Sequence, residues 1–456
     1  MGSLFSGLHI VANTLTAYQR ALDVTNNNVS NANTPGYAKQ TAQLAALDFD
    51  SSTAGGGGSH FAGTVDSRDE FAESNVWQAV SSESEAQQRA SGYAGIEAIF
   101  PVDGASGISA ALNGFFQTIS NLTTTPNDTT ARNLALTSAS AAAQAFQSAI
   151  GRLDQLSSQA RQFQHDSVDQ FNQLAQQVAN LNHQVMQNIG AAADPGVSAR
   201  ISDTLEQLAQ YGNLNVMRMD DGTVSVYVGQ SQVVDQDRLM ALQWVSGPGG
   251  QVLQDSQGGD VASSLTAGSL HASMQQLQQA LPTLEDNLNQ LAASFAAQVN
   301  SALNGGVDQN AQGPGKDLFA YDPVAGAART IAVGAGLQAA DLALADPSAP
   351  GGAAVARKVA AIATDATVAG LGGATLTQFY AALASQAGHL SANAQADQAT
   401  AQSITAQARS MRESAQGVSL DEEAVHMIEF QRGYDATSKL VTAINEMLQT
   451  LLSSLS

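Results

Sequence analysis

The sequence contains no cysteine, and lysine is almost as scarce: Lys39, Lys316, Lys358 and Lys439 are the four in 456 residues. The first absence excludes disulfides, thiolate nucleophiles and thiolate metal sites, and is silent on compartment. The second leaves no basic patch. With 18 basic against 40 acidic residues and a net charge of −22, electrostatics oppose binding to nucleic acid or an anionic membrane surface. No apolar run approaches the roughly 20 residues of a membrane span, so no membrane insertion is expected. Residues 1–20 lack the basic region and unbroken apolar stretch of a cleaved signal peptide, so any export is expected to leave the N-terminus intact. Aromatics make up only 5 % of the chain, while Ala, Gln, Ser and Asn abound. That balance suits long helices packed through small side chains more than a compact aromatic core. The length allows two or three domains.

What is present is organised by the two ends. From Leu420 to Leu455, the residues Leu420, Ala424, Met427, Gln431, Tyr434, Ser438, Val441, Asn445, Leu448, Leu452 and Leu455 step by four and three, the period of a coiled-coil seam. A second stripe, Val425, Ile428, Thr437, Leu440, Ile444, Met447 and Leu451, widens the apolar face beyond what one partner helix covers. Ser419 followed by Glu422 supplies an N-terminal cap signal. At the other end Leu4, Leu8, Val11, Leu15, Tyr18, Leu22, Thr25 and Val29 repeat the same steps, up to a turn at Asn33-Thr34-Pro35-Gly36 that proline and glycine impose. The termini are therefore expected to pair as a coiled coil and to pack against further copies. The candidate assembly interface is Leu4, Leu8, Val11, Leu15, Tyr18, Leu22 and Val29 with Val425, Ile428, Tyr434, Val441, Ile444, Leu448, Leu451 and Leu452.

Asn33-Thr34-Pro35-Gly36-Tyr37, after a first helix rich in Leu and Asn, resembles the N-terminal signature of the bacterial flagellar rod, hook and hook-associated axial proteins. Leu420-Asp421-Glu422-Glu423, Glu429-Phe430-Gln431-Arg432, Tyr434 to Lys439 and Met447 to Leu452 resemble the C-terminal signature of the same family. Within it, the run Phe295 to Asn300 with Gly305 to Asp308 and Asp317 to Phe319 is similar to members at the hook–filament junction; a hook or distal-rod protein is the alternative. The resemblance implies a structural, non-enzymatic protein without cofactors, exported by the flagellar type III apparatus and located in the extracellular flagellum. It also implies partners: further copies of itself in a ring or helical layer, hook protein, a second hook-associated junction protein, and an export chaperone at the C-terminal helix. The Asn33–Tyr37 turn would set the angle between the terminal pair and the outer domains.

The interior reads as mainly α, a long-helix rod-like bundle with one small β region inserted. The expected division is a terminal helix over 1–40, bundle over 41–205, a β-rich insertion over 206–262, bundle again over 263–416 and the last helix over 417–456. An irregular stretch, with a flexible Gly55–Gly58, is expected from Tyr37 to about Asp66. Helices follow over Asp69–Glu97, with Phe71 inward, over Ile108–Leu122, and over Thr130–Ile189, with Leu134, Phe146, Phe163 and Phe171 among the inner positions. Period two appears only between Asn213 and Gln254, where Asp220-Asp221-Gly222 marks a hairpin. Helix returns at Ser269, kinked by Pro282. After Phe319 comes an Ala/Gly/Pro-rich stretch where longer family members carry a sizeable β domain, so that outermost domain is expected to be missing. Gly334-Ala-Gly336-Leu-Gln-Ala339 imitates a dinucleotide turn without the acidic residue about 20 positions on, leaving a nucleotide-dependent enzyme as a remote alternative. Asp308-x-Asn310-x-Gln312-Gly313 imitates half a calcium loop, but Phe319 stands where a bidentate Glu belongs, so an Asx turn is expected. The seven histidines show no metal-ligand spacing, and no metal site is expected.

Overall fold

The computed structural model describes residues 2–47, 57–101, 104–187, 194–247 and 250–455. The chain divides into two compact units: residues 1–84, 168–268 and 401–456 form the first, and residues 85–167 and 269–400 the second. Three of the four divisions fall inside long helices, α2 (Glu70–Glu97), α4 (Thr129–Gln187) and α10 (Leu376–Gln416), and the fourth just before Ser269. The fold is mainly α, as the periodicity predicted, and no described helix is long and apolar enough to cross a membrane.

In the first unit α1 (Gly2–Asn31) is followed by an antiparallel hairpin of β1 (Gln40–Ala46) and β2 (Ser59–Asp66). This corrects the expected irregular stretch. The Gly55–Gly58 run lies partly outside the described residues. The hairpin runs back along α1: Asn28 meets Gln40, the Arg20 guanidinium lies over the Phe61 ring, and Thr14 Oγ1 reaches Ser59. Next comes α5 (Pro195–Ala209), which starts with proline at its first turn and Asp194 accepting from Gly196 N at 2.8 Å, a conventional cap. The expected β region is a sheet of order β3 (Leu214–Arg218), β4 (Val224–Val228), β5 (Ser231–Asp235), β6 (Arg238–Leu239), with β7 (Gln243–Gly247) and β8 (Gly250–Gln254) as a separate hairpin. The sheet is held to α4 by Asn182, whose amide donates to Val224 O (2.7 Å) and accepts from Val224 N (3.0 Å).

The second unit contains α3 (Gly107–Leu122), α6 (Ser269–Gln275), α7 (Leu281–Asn304), α8 (Ala327–Thr330) and α9 (Ala354–Ala361). A π-helical turn, Gln276–Ala280, separates α6 from α7 just before Pro282, so the disturbance expected at the proline is taken up as a widened turn. The core holds a cluster of Phe115, Phe116, Phe146, Phe295 and Phe319, with centroids 4.8–6.1 Å from Phe295. A compact aromatic core therefore exists despite the composition. The Ala/Gly-rich stretch is woven into it: β9 (Phe319–Ala320) pairs with β10 (Ala332–Val333), and Ala328, Ile331 and Leu344 are fully buried. Arg132, also buried, donates to the carbonyls of Pro126, Ala339 and Leu342 at 2.6–2.9 Å and pins that stretch to α4.

Two expected inner positions prove exposed. Phe71 is 74 % and Leu134 54 % exposed. Each lies beside the buried face of its helix, not on it: Ala72 and Glu73 are buried next to Phe71, and Arg132 and Ala135 flank Leu134.

Candidate assembly interface

The first and last helices pair antiparallel: Gly7 lies against Ile444, Tyr18 against Gly433, and Asn28 bonds Glu423, all between α1 and α11 (Leu420–Leu455). On α11 the inward column is Glu423, Met427, Phe430, Tyr434, Thr437, Val441, Ile444 and Leu448, again in steps of four and three. It shares Met427, Tyr434, Val441 and Leu448 with the expected seam, but Ala424, Gln431, Ser438 and Asn445 face outward. The helix is thus rotated from the predicted setting. Two features fix the rotation. The Tyr18 ring occupies the space at Gly433, where an added Cβ would lie 2.7 Å from ring atoms, and the buried Asn28 amide needs the Glu423 carboxylate.

The predicted interface residues separate accordingly. Leu8, Val11, Leu15, Tyr18, Leu22, Tyr434, Val441, Ile444 and Leu448 are half-buried within the pair or beneath the hairpin, and Leu4 lies in α1 with its side chain outside the described residues. Val29, Val425, Ile428, Leu451 and Leu452 remain exposed, together with Leu440 and Met447. Of the second apolar stripe, Val425, Ile428, Leu440, Met447 and Leu451 are therefore uncovered by α1, while Thr437 and Ile444 turn toward it. The residues that α1 buries fully are small or polar: Ala17, Ala21, Thr25 and Asn28.

The turn after α1 is built into the same region. Thr34 N donates to Asn31 O, Tyr37 N donates to Thr34 O, and Gly36 adopts φ +72°. A Cβ at Gly36 would stand 2.3 Å from Ala199 O, so α5 approaches the turn at backbone distance and only glycine fits. Tyr37 points inward, donating to Asn28 Oδ1 at 2.9 Å, while the Asn28 amide nitrogen donates to Gln40 O (2.8 Å) and Glu423 Oε2 (3.0 Å). Burial, with Asp66 and Glu423 nearby, pushes the Tyr37 phenol up to about 12. Lys39 bonds Glu422 at 2.7 Å, which raises the ammonium above its ordinary value.

A charged cluster absent from the sequence reading lies beside the turn. Glu73, 1 % exposed, accepts from Arg68 and from Gln416 Nε2 (2.7 Å) on one oxygen and from Arg412 (3.3 Å) on the other. Arg68 also donates to Gly36 O (2.8 Å) and Ser202 Oγ (2.6 Å), and Arg412 to Glu206 (2.7 Å). Burial pushes the Glu73 carboxyl upward, but the Gln416 hydrogen bond with Arg68 and Arg412 outweighs it and holds the group below the usual range. No sequence signal identifies this cluster, because its members are contributed by four separate stretches of chain, around residues 36, 68–73, 202–206 and 412–416.

The two mimics resolve as structure. Asp308 Oδ1 accepts from Asn310 N and Gln312 N at 2.8 Å, an Asx turn. The glycine run follows β10, a two-residue strand in an antiparallel pair, and leads to a three-residue 3-10 turn in place of a phosphate-facing helix. Among the described residues no group of His, Asp and Glu is arranged to hold a metal ion.

Comparison with known proteins accords with this geometry. Residues 93–319 match the family described as flagellar hook-associated protein FlgK helical domain. Residues 8–37 match flagella basal body rod protein, and residues 412–454 the flagellar basal body rod FlgEFG protein C-terminal family. The chain is 25 % identical to flagellar hook-associated protein 1 of Bacillus subtilis (strain 168), over 100 % of this chain and 99 % of that protein. It is 27 % identical to the protein of the same name in Salmonella typhimurium, over 67 % of this chain but only 57 % of that longer one. In fold it is similar to the flagellar hook junction protein FlgK from Burkholderia pseudomallei, with TM-score 0.50 and 24 % identity over 55 % of this chain and 47 % of that one.

Proposed function

We propose an assembly function for this chain, which belongs to the flagellar hook-associated protein family. It is a structural subunit of the bacterial flagellum that joins hook to filament, docking through the α1–α11 pair. The observation that carries this reading is the stripe Val425, Ile428, Leu440, Met447 and Leu451, exposed on α11 although α1 already covers the neighbouring face. Burying such a side chain contributes about 1.5–3 kcal/mol, so several together offset the cost of ordering and docking the helix. A contact of this kind repeated head to tail without closing builds a helical layer. The partners are neighbouring copies, the hook protein inward and a second hook-associated junction protein outward. Before assembly an export chaperone covers the same stripe during passage through the type III apparatus, and the protein ends outside the cell. Residues 1–40 and 417–456 form the assembly domain in this reading, and 41–205, 206–262 and 263–416 the body it anchors. The rod-protein matches at both ends fit a hook or distal-rod subunit equally well, but the match over 93–319 favours the junction.

The test is a triple variant, Ile428→Asp, Leu440→Asp and Met447→Asp, added to isolated hooks and viewed by electron microscopy beside the unaltered protein. All three positions are exposed, so thermal unfolding of the free chain should shift by less than about 0.5 kcal/mol. Hook-end occupancy should vanish. Occupancy equal to that of the unaltered chain would refute the reading, and decoration along the hook shaft by the unaltered chain would point to a hook or rod subunit.

A further inference from the structure

We propose that Glu73 is the positioning residue that fixes the direction of the terminal helix pair relative to the body of the first unit, acting as a buried ionic bolt. The proposal rests on the assembly reading for one of its two readouts only.

The terminal bundle consists of α1, the β1–β2 hairpin laid back along it, and α11. Two short covalent links leave it: Ser67–Asp69, leading into α2, and Gly417–Ser419, arriving from α10. Neither link has regular structure, and two such strands alone would let the bundle swing. The non-covalent fastening is polar. Glu73 stands one turn into α2 with both oxygens occupied, and each of its partners reaches a different part of the joint. Arg68 comes from the first link and holds the turn after α1 through Gly36 O. Gln416 is the last residue of α10; its carbonyl accepts from Lys39 N at 2.9 Å and its side-chain oxygen from Asp69 N at 3.0 Å. Arg412, one turn earlier, ties α10 to α5 through Glu206. One carboxylate therefore joins both links, the turn and α5.

The surrounding charge makes Glu73 hard to replace. Arg68, Arg412 and the largely buried Arg218 converge here, while Asp66 and Glu70 stand off at 3.8 and 3.6 Å from Arg68 and Arg218. Removing the charge of Glu73 leaves Arg412 with Glu206 and Arg68 with only the longer contact to Asp66, so the positive charge at the centre of the joint is no longer balanced. The cheapest relief is for the links to part, which releases the bundle and leaves its internal seam alone.

The absence of cysteine allows a clean measurement on the full-length chain. Spin labels at Ser438→Cys and Gln207→Cys report α11 against α5, and labels at Gln19→Cys and Ser438→Cys report the seam. Glu73→Gln, which keeps shape and loses charge, should broaden the α11–α5 distance distribution at least twofold while the seam distance stays narrow. Hook-end occupancy should fall about tenfold. The double variant Glu73→Gln with Arg412→Gln, which relieves the excess positive charge, should recover part of the narrow distribution. A merely structural role would lower the unfolding temperature without selective broadening. A narrow α11–α5 distribution in Glu73→Gln overturns the bolt, whatever happens at the hook. Should Glu73→Gln fold poorly, Arg412→Gln alone carries the same test with Glu73 intact, and an unbroadened distribution there also overturns it. Broadening with full occupancy upholds the bolt and overturns the claim that direction governs docking.

Discussion

Phe295 in the second unit has no solvent exposure and touches four other phenyl rings; Tyr434, midway along the seam between the first and last helices, is only half-buried. The contrast holds along both regions. The core of the second unit encloses Phe, Leu, Ile and Val almost fully, and the buried Arg132 is satisfied by backbone carbonyls. The terminal pair buries alanines, threonines and an Asn–Glu bond, and leaves its larger apolar groups half-buried or exposed. A chain that put its best hydrophobes outside would be poorly built as a monomer. It would be well built as a subunit whose core is completed by neighbours, as proposed above. On that proposal the two regions would draw their stability from different places, one from itself and one from the assembly.

Three substitutions press on that contrast. Phe295→Ala should cost about 3–5 kcal/mol in urea denaturation of the free chain, because it removes the ring on which the cluster converges. A loss under 1 kcal/mol would mean the second unit is not self-sufficient in the way its packing suggests. Gly36→Ala should cost about 2–3 kcal/mol, since the added carbon meets Ala199 O and the left-handed conformation disfavours it. That loss should be read at the terminal bundle, as faster hydrogen exchange in α1 and α5. Tyr37→Phe should cost about 1 kcal/mol at neutral pH, the value of one neutral hydrogen bond, with the Asn28 oxygen still accepting from Gln40 N. Its more informative effect lies in alkali. A phenol raised from 10.0 to about 12 on folding stabilises fully below pH 10 and loses that contribution as pH climbs toward 12. The unaltered chain should therefore lose terminal-bundle helicity over that window, and Tyr37→Phe should lack this component. Identical alkaline profiles would show that Tyr37 is not buried in solution.

Much of this architecture was legible in the sequence, and the failures have physical causes. The terminal helices, α2, α3 and the hairpin at Asp220–Gly222 followed from period and turn chemistry alone. The hairpin β1–β2 did not, because Gln-Thr-Ala-Gln-Leu-Ala-Ala and Ser-His-Phe-Ala-Gly-Thr-Val-Asp alternate weakly and acquire their strand character from lying on α1. The seam of α11 was found but set at the wrong rotation. Period specifies that a stripe exists; which of two adjacent stripes faces inward was decided by Tyr18, Gly433 and the Asn28–Glu423 bond, none of which is apolar packing. The aromatic core was missed because five phenylalanines from distant stretches weigh little in composition and a great deal once gathered. The Glu73 cluster had no sequence signature, since Arg412 and Gln416 reach it from more than 300 positions away and the nearby Arg68 alone makes no pattern. The stripe on α11 was the most readable part of the candidate site, being a property of one continuous helix.

Gly433 has one more consequence. A two-helix seam with a seven-residue repeat can in principle slip by one repeat and still match its pattern. Here the Tyr18 ring fills a gap that occurs once: seven positions either way it would meet the side chains of His426 or Leu440 instead of bare backbone. The glycine acts as a detent. It gives the pair a single phase along its length, so in the assembly proposed above every subunit would offer its outer stripe at the same height, as a periodic lattice of identical parts requires.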